Sequence, residues 1–154
     1  MIVTKLYHTL ATVMLTMALS TLGTLAASAQ NDVKEKDSFR AYLINNLYEV
    51  YLRINLYDQN VEVPGQSLYG QLPGYLGKQR NAFCWVIVSC NVKNEREAEL
   101  QLINDFGSED LTATLTREND TLYTLRQGAG STLKVPHNGK WRKLPKSLHF
   151  VRKK

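Results

Sequence analysis

The chain has 154 residues, a formal net charge of +5, 44% hydrophobic residues and only two cysteines. That composition excludes an intrinsically disordered chain, which lacks the apolar surface to build a core, and a disulfide scaffold, which needs several cysteine pairs. It fits one modest globular domain rather than several.

The first 29 residues read as a cleaved signal peptide. Lys5 supplies a positive start, Leu10 to Leu25 is uncharged and mostly apolar, and Ala27-Ser28-Ala29 offers the small side chains that a signal peptidase pocket admits. The apolar run is shorter than the ~20 residues of a spanning helix, and no cysteine follows it to take a lipid. The expected product begins at Gln30 and is exported, periplasmic or extracellular, and soluble. Residues 30–37 are polar enough to predict a flexible N-terminus, and 38–154 a single all-β domain.

Charge is unevenly placed along this product. Gln30 to Asp120 carries nine basic and 14 acidic residues, whereas Thr121 to Lys154 carries nine basic residues and no acid. A basic C-terminal end predicts attraction to an anionic surface or acidic partner.

Period-2 alternation dominates from Tyr48 to Leu56, with Tyr48, Val50, Leu52, Ile54 and Leu56 on one face. The preceding FRAYLI can pair with it through Asn45-Asn46, although 37–46 also suits a short helix. VPGQSLYGQLPGYLGKQRN then reads as a long loop punctuated by Pro64-Gly65 and Pro73-Gly74. It carries Tyr69 and Tyr75, rings able to stack on a sugar or enter a partner.

NAFCWVIVSC follows. Six extended residues span about 20 Å, too far for a Cys84–Cys90 bridge, and the β-branched Val-Ile-Val between them resists a tight reversal. Even spacing predicts Cys84, Val86, Val88 and Cys90 on one buried face. The opposite face, Phe83, Trp85 and Ile87, is also apolar and therefore needs cover, from the chain or from a partner. Residues 93–103 carry helix formers, with Leu100 and Leu102 alternating against Glu99 and Gln101 as the strand signal.

Beyond them, NDFGSED is expected to be a polar turn holding Asp105, Glu109 and Asp110. Leu111, Ala113 and Leu115 alternate with three threonines as a strand, REND turns it back into TLYTLR, and QGAGS is read as a turn. Asn138-Gly139 is a strong two-residue hairpin signal, and SLHFVRK makes a last strand. Asn119-Asp120-Thr121 matches the N-glycosylation pattern. About seven or eight short strands at close spacing predict a small antiparallel β-barrel or meander, with an open β-sandwich as the alternative.

The predicted function is binding rather than catalysis. Candidate binding residues are Tyr69, Tyr75, Phe83 and Trp85, with Lys140, Trp141, Arg142 and Lys143 of the basic hairpin. No cofactor, metal or disulfide is expected: Cys84 and Cys90 with His137 and His149 match no zinc spacing. An inhibitor of an extracytoplasmic enzyme, or a binder of an anionic envelope or glycan component, fits these features. Nucleic acid is not the expected ligand of an exported chain. The alternative is a small hydrolase using the carboxylates Asp105, Glu109 and Asp110.

Overall fold

The computed structural model describes residues 37–154, so the predicted signal peptide (1–29), and all of the expected flexible N-terminus (30–37) but Asp37, lie outside the described residues. The described chain forms a closed eight-stranded antiparallel barrel. It starts with β1 (Arg40–Asn45) and β2 (Val50–Asn55), which pair as a hairpin in full register. The sheet continues through β5 (Gly74–Lys78), β6 (Cys84–Asn94), β7 (Glu97–Asn104), β8 (Asp110–Arg117), β9 (Leu122–Gly130) and β12 (Ser147–Arg152), and β12 returns to β1. Closure removes the free edge strands that an open sandwich would leave, except along the start of β12, which β1 does not reach. Both segments that carried helical signals are strands: β1 covers most of 37–46, and β7 most of 93–103.

Two small ribbons interrupt this up-and-down order. β3 (Val61–Glu62) pairs with β4 (Gln71–Leu72), and β10 (Lys134–His137) pairs with β11 (Lys140–Lys143). Asn138 and Gly139, at φ 50° and 73°, give the β10–β11 turn the two left-handed residues of a type I′ hairpin.

Inward residues fill the barrel, as is usual for eight strands. Leu43, Val50, Leu52, Ile54, Leu76, Trp85, Ile87, Leu100, Leu102, Leu115, Leu125 and Phe150 belong to this core. The alternation read in Tyr48 to Leu56 therefore points the expected way. A separate cluster lies outside the barrel, where Val61 and Val63 of the β3–β4 arm cover Tyr75, Cys84 and Val86. The β10–β11 hairpin caps one mouth, and Leu133, Val135 and Leu144 at its base join the interior core.

Three expectations are corrected here. Cys84 and Cys90 do not share a face. The β6–β7 register slips between Ile87 and Ser89, so Cys84, Val86 and Val88 point outward while Cys90 and Val92 pack against the interior. A β-bulge adds one residue, and with a side-chain period of 2 that reverses every side chain beyond it. The Pro-Gly loop is not wholly a loop, because its Gly74–Lys78 is a barrel strand with all five residues buried. QGAGS is not a turn either, since β9 runs through to Gly130.

Candidate functional site

Trp85, the residue whose cover was in question, is 0% exposed. It faces the barrel interior, and its indole Nε1 donates to the Lys134 backbone oxygen at 2.9 Å. Burying a ring of this size removes roughly 200 Å² from water, on the order of 4–5 kcal/mol. Its cover thus comes from the barrel and the cap, and it presents no surface to a partner. Tyr75 is buried under the β3–β4 arm, whereas Tyr69 is exposed in the single 3-10 turn Ser67–Tyr69 of that arm. The two loop tyrosines do not form a joint platform.

The rings that do assemble at the surface lie beside the capped mouth. Phe83, just before β6, is buried and contacts Trp85 edge-on at 6.5 Å. Trp141 of β11 stands edge-on to Phe83 at 5.0 Å, and the Phe106 ring lies tilted at 6.0 Å from Phe83. Trp141 is 49% exposed and Phe106 71% exposed. Phe83 is the seat on which two accessible rings rest.

Both outer rings are held from below. Phe106 sits in the turn between β7 and β8, which is built around Asn104. The Asn104 Oδ1 accepts from the Ser108 backbone N–H at 2.9 Å, and its Nδ2 donates to Ser108 Oγ at 3.1 Å and Glu109 Oε2 at 3.0 Å. Lys134 donates to Glu109 Oε1 at 2.8 Å while its ammonium lies 5.4 Å from the Trp141 ring centroid. That one cation ties the β7–β8 turn to the hairpin. Glu109 therefore serves the architecture, neutralised by Lys134 and fixed by Asn104. Asp105, Glu109 and Asp110 do not line the groove beside β12, the one along the β3–β4 arm or the one across β6 to β9.

The basic hairpin is not one patch. Strand alternation puts Trp141, Lys143 and Lys134 on one face of the ribbon and Lys140, Arg142, His137 and Val135 on the other. Arg142 lies 4.5 Å from the Tyr48 ring centroid, and His137 Nδ1 is 4.0 Å from Glu49 Oε2. The buried Lys78 donates to Glu49 Oε2 at 2.7 Å, and that bond, with the charge behind it, holds the Glu49 carboxyl below the usual carboxylate range. The hairpin is thereby clamped on both sides over the mouth.

Of the residues proposed from sequence, Phe83, Trp141 and Lys143 belong to this rim; Lys140 and Arg142 face away from it. Phe106 and Lys134 were missed. An aromatic in a Gly-Ser-rich polar turn was the available signal for Phe106; Lys134 had none, because its role depends on the hairpin folding back over β6. Cys84 and Cys90 are free thiols on opposite faces of β6, and no three His, Cys, Asp or Glu side chains gather as a metal site among the described residues. No helix among these residues is long and apolar enough to cross a membrane. No protein-family model matches the chain, and neither curated proteins nor solved structures show a significant match to it.

Proposed function

We propose that this is an exported, non-catalytic binding protein whose capped barrel end engages a protein partner, with inhibition of an extracytoplasmic enzyme as the narrower form of that reading. The observation that carries it is the pair of exposed rings, Trp141 and Phe106, seated on Phe83 and bordered by Lys134, Glu109 and Lys143. Two large rings held on a rigid base, with charged groups at their edge, have the make-up of an interface hot spot. Rigid seating matters because little side-chain freedom is then lost on binding. Lys134 already lies against Trp141, so what projects is an irregular apolar knob suited to a pocket on another protein.

The test is capture by the mature chain from its native envelope and secretome fractions, at low and high salt, beside the double variant W141A/F106A. Both substitutions lie at the surface and should leave the fold intact. The expected result is a partner retained at high salt by the parent and lost by the variant. A partner held equally by both proteins, or released by salt alone, overturns the assignment to this rim.

A further inference from the structure

The barrel closes unevenly. β12 pairs with β9 at five positions, from Ser147 to Val151, but with β1 at only two, Leu43↔Arg152 and Ile44↔Val151. β1 ends at Asn45 and turns away into β2, so Ser147–Phe150 are laddered on one side only. The direction of their main-chain groups follows from the neighbouring bonds. Gln127 N–H donates to the Lys146 oxygen and Arg152 N–H to the Thr121 oxygen, so even-numbered residues face β9. Odd-numbered residues face β1, as Lys153 N–H to the Tyr42 oxygen shows. At His149 the missing strand is replaced by a side chain: Asn45 Nδ2 donates to the His149 oxygen at 2.8 Å.

Beside this half-zipped seam lies a groove of about 570 Å³ between the β1–β2 turn and the start of β12. Leu47, 73% exposed, and Val151, 56% exposed, give it apolar walls. Its lining holds two cationic side chains, Arg152 and Lys153, beside His149, and no acidic residue. The Arg152 guanidinium is occupied by the backbone oxygens of Asp37 and Arg40, which leaves His149 and Lys153 accessible.

We infer that this seam is a second binding site, distinct from the aromatic rim, which takes a short extended acidic segment of a partner protein as an added strand against Ser147–His149. Strand addition draws its affinity from main-chain hydrogen bonds and its selectivity from alternate side chains. Here the outward row of β12, namely Ser147, His149, Val151 and Lys153, sets a pattern of apolar and acidic partners. Arg152 and Lys153, with no acid beside them, select against a second copy of this chain, whose own β12 would bring like charges together.

The test uses the mature chain and a fluorescein-labelled heptapeptide alternating glutamate with valine. Two control peptides accompany it, one with lysine for each glutamate and one N-methylated at alternate residues. The expected result is saturable binding that weakens at least about tenfold with either control, together with slowed amide exchange at Ser147 and His149. S147P, which removes one outward N–H without touching the β9 ladder, should weaken binding by a similar factor with an unchanged melting midpoint. Equal binding of the N-methylated or lysine peptide, or no saturation, overturns the proposal. So does slow exchange at both amides in the free chain, which would mean that its own residues or a second copy already fill the seam. If S147P fails to fold, the N-methylated peptide decides alone.

Discussion

Gly77 shows how one residue can hold two layers together. A Cβ placed there would lie 2.6 Å from the Tyr51 hydroxyl oxygen and closer still to its ring, so Tyr51 rests directly on the β5 backbone. Tyr51 in turn stacks on Tyr42 at 5.3 Å and meets Tyr75 edge-on at 5.8 Å. Gly77→Ala should displace the Tyr51 ring and destabilise the fold by about 1–3 kcal/mol, the usual cost of overpacking. Denaturant unfolding measures this, and Y51A/G77A should recover part of the loss if the clash is the cause. The thiols are legible at the same scale. Burial pushes Cys84 up to about 11, with the Asp105 charge adding to the effect, and burial alone raises Cys90. Cys84 should therefore resist a thiol reagent at pH 8 in the folded protein and react fully once unfolded. Because the unfolded thiol ionises near 9 and the folded one near 11, stability is intact below pH 9 and falls from pH 9 to 11. Tyr51, raised to about 12 by burial and its Tyr75 partner, extends the decline upward. A C84A variant whose stability fell just as steeply between pH 9 and 11 would contradict the assignment.

Elements were legible in the sequence where one physical rule acted alone. β2 and β8 alternate cleanly because one face meets a packed interior, and the β10–β11 turn announces itself because Asn-Gly tolerates left-handed backbone. β5 was hidden because two of its five residues are glycine, one on each face, and glycine carries no hydrophobic signal: Gly77 leaves room for Tyr51, and Gly74 has no space for a side chain beside the Arg53 oxygen. The β6 bulge was hidden because Val88 fits either face. The cap was half visible, since its hairpin could be read but not its docking. That docking rests on Gln127, a buried polar residue in an interior row. Gln127 Oε1 accepts from Leu133 N–H at 2.7 Å, and its Nε2 donates to the Leu144 and Pro145 oxygens at 3.2 and 2.7 Å. Replacement by leucine keeps the volume but strands two buried backbone groups, Leu133 N–H and the Leu144 oxygen, each costing about 1–3 kcal/mol when unsatisfied, and leaves the part-buried Pro145 oxygen to water. Gln127→Leu should therefore loosen the hairpin before the barrel melts. Trp85 reports it, because its indole bonds to Lys134 at the base of that hairpin. Its fluorescence should show a transition preceding the loss of β-sheet circular dichroism, and coincident transitions would deny Gln127 this latching role.

For the whole molecule, barrel closure depends on the two ends of the described chain meeting, which no local pattern in the sequence specifies. Arg152 makes the junction. Its guanidinium donates to the Asp37 oxygen at 2.6 Å and the Arg40 oxygen at 2.8 Å, and lies 5.8 Å from the Tyr123 ring centroid. Tyr123, fully buried, donates its hydroxyl to the Ser38 oxygen at 2.6 Å. Two side chains from the C-terminal half thus hold the backbone entering β1, beside a β1–β12 ladder only two residues long. The basic C-terminal end, read from sequence as a general attraction to anions, has here a specific internal use. Arg152→Met keeps the aliphatic stem over Tyr123 but removes the donors. With charge-assisted hydrogen bonds worth about 1.5–3 kcal/mol each, the variant should lose on the order of 3 kcal/mol. The loss should be local: amide exchange of Leu43 and Ile44 should accelerate far more than that of Leu100 and Leu102 on the opposite side of the barrel. Uniform acceleration across both strands would mean that the barrel opens as a unit and that closure is not its weakest seam.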